Sequence, residues 1–138
     1  MKHERLHNPS ALDNLKALTK GLEENKTRIE KALFYSGGTH TFDDIVVMVL
    51  HGRLTFIPLE NSFLIVEVTE YPQFRTLHVF LAGGKLDEIV ATQDTLDEIA
   101  RNNGCAAITM TGRAGWKKPL VHGLGWKETA RTFERRVP

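Results

Sequence analysis

The sequence predicts an α/β protein in which a mixed sheet carries helices on both faces. Three observations support this fold class. Apolar runs of strand length recur between residues 54 and 82, helical periodicity covers residues 86–103, and another apolar run covers residues 105–111. A strand, a helix and a strand in succession are typical of a right-handed parallel crossover, whereas the earlier runs are close enough in sequence to pair antiparallel.

An amphipathic helix is predicted ahead of this sheet, in an N-terminal arm over residues 1–36. Ser10 with Asp13 resembles a capping box, and apolar residues then recur at spacings of three, four and seven. They are Leu15, Leu18, Leu22, Ile29 and Leu33. Asn25 interrupts the stripe, and we expect the helix to bend or break at Gly21. The stripe is thin, so it packs along one side only, either on this domain or on a partner chain.

A second helix is predicted over residues 42–50. Thr41 is a good N-cap, the apolar residues follow helical spacing, and Gly52 stands where a helix-ending glycine belongs. Three strands are predicted next, over residues 54–57, 62–70 and 75–82. The last two are separated by a short turn and should form an antiparallel hairpin.

The end of the chain predicts a short helix over residues 116–122 and a final strand over residues 127–137. Pro119 is compatible with that helix only in its first turn, so the helix should begin near Gly115. Residues 1–138 are enough for a single domain with a real core, and no linker or repeat divides them.

Composition excludes several classes of protein. The net charge of +1 favours neither nucleic acid nor an anionic membrane as a partner. A single cysteine, Cys105, excludes an internal disulfide framework, and the six histidines lack metal-ligand spacing, so no metal is expected. The polar N-terminus does not resemble a signal peptide and no apolar run reaches membrane-spanning length, so we expect neither secretion nor a transmembrane segment.

The order of elements, which closes with a glycine–aromatic pair after a short helix, resembles the GNAT fold of N-acetyltransferases. The strings YSGGTHTFDDI, EYPQFRTLHVFLAGGKLDEI and GRAGW, with GW further on, resemble more narrowly a family of small GNAT-like proteins encoded by tailed bacteriophages. This narrower resemblance covers residues 29–137. It implies a protein of the virion or of the host cytoplasm.

The resemblance implies that the pyrophosphate of acyl-CoA binds where a strand ends and a helix begins. In active GNAT enzymes, a loop of the form Q/R-x-x-G-x-G/A and the helix N-terminus offer backbone N–H groups to it. Here only Gly83, Gly84 and Lys85 separate strand from helix, so the loop is shorter than the motif. Asp87 and Glu88 follow in the first turn and would repel a pyrophosphate. We therefore expect a degenerate acetyl-CoA site, with Gly83, Gly84 and Lys85 as its binding residues.

Arg113 is a further candidate for cofactor binding. It directly follows the strand at 105–111, beside the place where the cleft of this fold opens, and a guanidinium there could bind a phosphate or carboxylate. The alternative interpretation is structural: Arg113 pairs with an acid such as Asp87, while Trp116 and Trp126 fill the core.

The resemblance also implies an acid and a base. In many GNAT enzymes a tyrosine five residues before the aromatic of the glycine–aromatic pair protonates the leaving thiolate. Counting back from Trp126 gives Val121, which has no proton to donate. Glu67, Glu70 and His78 are candidates for the base, with Glu67 and His78 as the catalytic residues if the protein is active. The competing interpretations are a solvated Glu67 and a structural or surface His78.

These features leave three hypotheses about function. The first is a phage virion, assembly or protein-interaction component that keeps the GNAT scaffold without its acyl-CoA site and contacts other virion proteins through the N-terminal helix. The second is an acyl-CoA-dependent N-acetyltransferase that acts on an amine of a host or phage molecule. The third is a binder of a small ligand or peptide in the open cleft. The fold alone does not choose among them.

Overall fold

The computed structural model describes residues 10–112, 114–116, 118, 120 and 122–138. The α-helices are α1 Ala11–Glu24, α2 Lys26–Tyr35, α3 Phe42–Leu50, α4 Leu86–Val90 and α5 Gln93–Asn102. The strands are β1 Thr55–Pro58, β2 Phe63–Glu70, β3 Arg75–Gly83 and β4 Cys105–Met110. A short 3₁₀ turn, Ala114–Trp116, follows β4.

The four strands form one mixed sheet in the order β1-β2-β3-β4. β1 pairs with β2 and β2 with β3 in antiparallel fashion, whereas β3 and β4 are parallel. The predicted hairpin is thus confirmed, and so is the parallel crossover through the helical segment between β3 and β4.

Two apolar cores lie on opposite faces of the sheet. Neighbouring residues of a strand point to opposite faces, and Ile65 belongs to one core whereas Val66 belongs to the other. The N-terminal core joins α1, α2 and α3 to the sheet through Leu22, Ile29, Leu33, Phe42, Ile45, Val49, Leu54, Phe56, Phe63, Ile65 and Leu81. The crossover core joins α4 and α5 to the other face through Leu64, Val66, Leu77, Val79, Ile89, Leu96 and Ala100. The prediction of helices on both faces is therefore confirmed.

The N-terminal helical segment breaks at Asn25, and the predicted break at Gly21 is wrong. Asn25 is buried, and its side-chain Nδ2 donates a hydrogen bond of 2.9 Å to the carbonyl of Gly21. Gly21 continues the helix and serves close packing, because a Cβ there would lie 3.1 Å from Cε2 of Phe56. The stripe packs on its own domain, since Leu22 and Ile29 are fully buried in the N-terminal core.

The predicted helix over residues 86–103 is two helices, because the chain turns at Ala91 and Thr92. The hydroxyl of Thr92 donates to the carbonyl of Ile89 at 2.6 Å, and so satisfies a carbonyl at the end of α4. The predicted short helix begins as the 3₁₀ turn that ends at Trp116. Pro119 and Val121 lie outside the described residues.

The predicted final strand over residues 127–137 is wrong, because this segment has no regular secondary structure. It is held near its start by Trp126, whose Nε1 donates to Oε1 of Gln93 on α5 at 3.1 Å. Near its end, Arg136 donates to the carbonyl of Gly37 at 3.2 Å. Its large apolar side chains, Phe133 and Val137, are exposed, so the segment gains no stability from apolar contacts with the sheet.

Candidate functional site

The sheet opens between β3 and β4. The two strands are in register as far as Val79 and Met110, and β3 then continues to Gly83 without β4 beside it. In the register with β2, Phe80 is an extra residue between Val79 and Leu81, which defines a β-bulge. A bulge bends its strand and re-aims the side chains around it, and such bulges recur next to functional sites. The end of the pairing between β3 and β4 is therefore the first place to look for a site.

A row of polar side chains crosses three strands just before this opening. Glu67 on β2 is the cross-strand partner of His78 on β3, and His78 is the partner of Thr109 on β4. Cβ atoms of direct partners lie about 5 Å apart. Nδ1 of His78 and the hydroxyl of Thr109 are hydrogen-bonded at 2.8 Å. All three side chains are half-buried. The structure thus places the two predicted catalytic residues next to each other, with the hydroxyl of Thr109 beside His78.

The row lies on the face of the sheet that carries the N-terminal core. Leu77 and Val79 point into the crossover core, and His78 between them therefore points to the opposite face. The alternation on β2 places Glu67 on that face also, two residues beyond the buried Ile65. The expectation that Glu67 is fully solvated is thus too simple, because the side chain is partly covered beside His78.

Burial lowers the pKa of His78 below its ordinary value, and the nearby carboxylate of Glu67 opposes this in part. Taking an imidazolium out of water costs free energy, whereas a negative charge close by favours the protonated ring. The neutral imidazole is therefore favoured near neutral pH. The hydrogen bond to Thr109 is compatible with either tautomer of the ring, because a hydroxyl can donate or accept; a neutral ring has one unprotonated nitrogen that can take a proton.

The predicted phosphate turn is closed by contacts within the chain. The backbone N–H of Lys85 donates to the hydroxyl of Ser62 at 2.8 Å. Gly84 has φ +111°, and a Cβ there would lie 2.6 Å from the same hydroxyl. A Cβ at Gly83 would lie 2.6 Å from Cε1 of Phe63. Both glycines thus allow the turn to pack tightly on the start of β2.

Glu88, in the first turn of α4, is also hydrogen-bonded within the protein. Its carboxylate accepts hydrogen bonds of 2.9 Å from the backbone N–H and from Nδ2 of Asn61. These bonds, the backbone one first, hold the pKa of Glu88 below its ordinary value. The side chain is therefore a carboxylate at neutral pH and fixes a negative charge beside the turn.

These contacts already use groups that the resemblance assigns to the pyrophosphate of acyl-CoA. The N–H of Lys85 already has an acceptor, and Glu88 is a fixed negative charge within the next turn. The helix that would supply further N–H groups has only five residues. The ammonium group of Lys85 is the feature of the turn that favours an anion. Arg113, the fourth predicted cofactor residue, lies outside the described residues.

The two groups of predicted site residues are separated along β3. His78 and Gly83 are five positions apart, which corresponds to roughly 16 Å of extended strand. The structure therefore assembles Glu67, His78 and Thr109 at the opening of the sheet, and places Gly83, Gly84 and Lys85 at the far end of β3.

Two residues of these sites escaped the sequence analysis. Thr109 lies in an apolar run, and only the register of β4 against β3 identifies it as the neighbour of His78. Ser62 precedes β2 by one residue, and its contact with the turn crosses 23 positions of sequence. Neither has a local sequence signal, because each acts through pairing between distant segments.

Among the described residues, no group of three or more histidine, cysteine or acidic side chains is arranged to hold a metal ion. No helix in the described part of the chain is both long and apolar enough to cross a membrane.

The mixed four-stranded sheet with its helices matches the fold of GNAT-like acetyltransferases among solved structures. Among solved structures, this chain is similar to an acetyltransferase of Trypanosoma brucei, with a TM-score of 0.58 and 12% identity over 83% of this chain and 94% of that chain. It is similar to a probable acetyltransferase with a TM-score of 0.55 and 10% identity, over 94% of each chain. A tetramutant of a Bacillus halodurans protein matches with a TM-score of 0.57 and 11% identity, over 86% of this chain and 94% of that one.

At these identities the likeness establishes the GNAT-like fold and nothing further. A scan against protein-family models found no match, and a search of curated proteins found none.

Proposed function

We propose that this chain is a GNAT-fold protein that has lost acyl-CoA binding and acts as an interaction component of a tailed-phage virion or of its assembly. One observation carries the proposal: the turn at which the resemblance places a pyrophosphate is packed against Ser62, whose hydroxyl accepts a hydrogen bond from the backbone N–H of Lys85. A scaffold that keeps its cores while its cofactor turn is closed is better suited to protein contacts than to catalysis.

The setting in a phage is supported by the resemblance of several sequence strings to GNAT-like phage proteins. The contact surface is supported by α1. Leu12 and Leu15 are exposed, whereas Leu18 is half-buried and Leu22 is fully buried, so the apolar side of the helix extends beyond the core. Exposed apolar surface of this kind marks contact sites, and a helical stripe fits a groove on another virion protein.

The test of the first half of the proposal is calorimetric titration of the purified chain with acetyl-CoA. We expect no saturable heat. Saturable binding that is lost in Lys85→Glu and kept in Lys16→Glu, an exposed lysine on α1, would overturn the proposal, since the turn would then hold the cofactor. A GNAT enzyme known to be active serves as the positive control.

The second half is tested by mass spectrometry of purified virions of the phage that encodes the chain. We expect the protein in the particle, or in assembly intermediates. Its absence from both would contradict a virion or assembly role. Leu15→Asp, which places a charge on the exposed end of the stripe, should reduce incorporation, whereas Lys16→Asp next to it should not.

A second function, N-acetyl transfer to an amine, is favoured by the row of Glu67, His78 and Thr109. If the hydroxyl of Thr109 accepts from Nδ1 of His78, then Nε2 has a free lone pair and can take a proton from an amine. Glu67 would stabilise the imidazolium so formed. Activity with an amine panel that is abolished by His78→Gln and reduced by Glu67→Gln would support this function; it also requires that the titration detect acetyl-CoA.

A further inference from the structure

Asn103 and Gly104 join the end of α5 to the start of β4, and they form the one Asn-Gly dipeptide of the sequence. Both residues are exposed. An asparagine that precedes a glycine readily loses its side-chain amide, because glycine has no side chain to hinder attack by its own backbone nitrogen on the amide carbon. The junction between α5 and β4 therefore has a chemical reactivity of its own.

The reaction is deamidation through a cyclic imide. The backbone nitrogen of Gly104 loses its proton and forms a bond to Cγ of Asn103, which closes a five-membered ring. The bond from Cγ to Nδ2 breaks, and ammonia leaves with a proton carried by solvent in place of the one that Gly104 lost. Water then opens the ring. Hydrolysis at the former side-chain carbonyl gives aspartate, whereas hydrolysis at the backbone carbonyl gives isoaspartate, whose main chain runs through Cβ and Cγ.

Three features of the folded junction oppose ring closure. The N–H of Gly104 donates to the carbonyl of Arg101 at 3.1 Å, so the proton that must leave is hydrogen-bonded. Nδ2 of Asn103 donates to the carbonyl of Ile99 at 2.8 Å, which directs the side chain back along α5. Asn103 has ψ 9°, so the nitrogen of Gly104 is nearly eclipsed with the backbone nitrogen of Asn103, whereas the ring requires it to be eclipsed with Cβ.

All three features belong to the last turn of a helix. The N–H of Asn103 donates to the carbonyls of Ile99 and Ala100 at 3.1 and 3.2 Å, and Gly104 has φ +68°, a conformation that commonly ends helices. Opening such an end costs much less free energy than unfolding the domain. When the turn opens, the two hydrogen bonds are lost and ψ of Asn103 is free to rotate, so ring closure becomes accessible.

We propose that Asn103 is a site of spontaneous deamidation, that the last turn of α5 protects it, and that isoaspartate there weakens the pairing of β4. Cys105 pairs with Arg75 at the start of the parallel ladder, and Arg75 donates to the carbonyl of Asn103 at 3.4 Å. Isoaspartate lengthens the main chain by a methylene group just before this pair. It also places a carboxylate at the negative end of the dipole of α5.

Incubation of the full chain at mildly alkaline pH, followed by tryptic peptide mapping, tests the site. Trypsin releases residues 102–113 as one peptide, and mass spectrometry locates the change within it. We expect aspartate and isoaspartate at Asn103 before any other asparagine reacts. Gly104→Ala should give no product, and a Cβ there meets nothing within 4 Å, so the variant folds. Earlier reaction at another asparagine, or no reaction at Asn103 in the folded chain, overturns the proposal.

Two matched substitutions test the protection by α5. Ala100 lies in the last turn of α5, whereas Ala32 lies in α2 on the other face of the sheet. Glycine at a helical alanine favours opening, so we expect about fivefold faster deamidation in Ala100→Gly and no change in Ala32→Gly. In denaturing urea the reaction should be at least about tenfold faster than in the folded chain. Equal rates in the two variants, or in the folded and unfolded chains, overturn protection by the end of α5.

Hydrogen exchange tests the consequence for the sheet. The isoaspartate form, isolated by chromatography, is compared with Asn103→Asp, which has the same added charge and a normal main chain. We expect faster exchange of the backbone amides of β4 in the isoaspartate form. Equal exchange in the two forms would show that the longer main chain leaves β4 paired, and would overturn that part of the proposal.

Discussion

Gly84 has a backbone conformation that side chains rarely adopt, with φ +111°, and no space for a Cβ atom. We expect Gly84→Ala to lower the free energy of unfolding by about 3 kcal/mol, since backbone strain and overpacking each cost about 1–3 kcal/mol. Gly104→Ala is the matched control: its φ is +68°, but a Cβ would meet nothing within 4 Å, so only the strain of about 1 kcal/mol applies. Urea unfolding followed by circular dichroism measures both. Equal losses would show that the turn is not packed on Ser62.

His78 should make the stability of the protein depend on pH. Burial places its folded pKa below the ordinary value of 6.5. The unfolded chain therefore binds the proton more readily between these two values, and the free energy of unfolding falls as the pH falls. The stability associated with a neutral His78 is fully present above pH 6.5 and is lost as the pH decreases towards the pKa of His78 in the folded protein.

We expect His78→Gln to flatten this acid limb of the stability profile. His51→Gln, at an exposed position after α3, controls for the loss of a histidine elsewhere. Proton NMR titration of the His78 ring gives an independent check: Glu67→Gln should lower the pKa of His78 further, because the carboxylate that opposes the effect of burial is gone. A rise in that pKa would contradict the cross-strand arrangement.

At the scale of single elements, local signals in the sequence predicted most of the fold. Thr41 predicts the start of α3, and the structure has the full capping box there: the N–H of Asp44 donates to the hydroxyl of Thr41, and the N–H of Thr41 donates to Asp44. The bond from the backbone N–H of Thr41, and after it a bond from the side chain of Thr41, lower the pKa of the Asp44 carboxyl. Helix α3 and the hairpin of β2 and β3 were predictable because their caps, turns and periodicity are all local.

The elements that were mispredicted depend on contacts that sequence spacing does not encode. Gly21 resembled a helix break, yet the helix continues through it, and a glycine is needed there because the ring of Phe56 packs against its Cα. Asn25 breaks the helix through its own hydrogen bond to Gly21. Residues 127–137 resembled a strand, but a strand needs a partner edge, and in one copy the tail is held elsewhere by Trp126 and Arg136.

In the candidate site, too, some residues could be predicted from the sequence whereas their contacts could not. Glu67 and His78 were identifiable from residue type on predicted strands, because general bases belong to a short list of side chains. Their proximity depends on the register of β2 against β3, and that of Thr109 on the parallel pairing with β4. The Ser62 contact that closes the turn is invisible in the sequence, since a serine before a strand is also a common turn residue.

At the scale of the whole molecule, the sheet separates two cores with different roles. The crossover core supports β3 and β4 from one face, and β4 is also the strand with the free edge. The N-terminal core lies on the other face, where the side chains of the polar row are half-buried. The sheet opening and the free edge therefore flank the same strand, β4, and Thr109 borders both of them.

Mutations in the N-terminal helix α1 test whether that helix belongs to the N-terminal core. Leu22 is fully buried in the N-terminal core, whereas Leu12 on the same helix is 60% exposed. We expect Leu22→Ala to cost about 3 kcal/mol of unfolding free energy because it leaves a cavity, and Leu12→Ala to cost less than about 0.5 kcal/mol. Thermal and urea unfolding measure both. If Leu22→Ala left the stability unchanged, α1 would not be part of the core but an arm free to dock elsewhere.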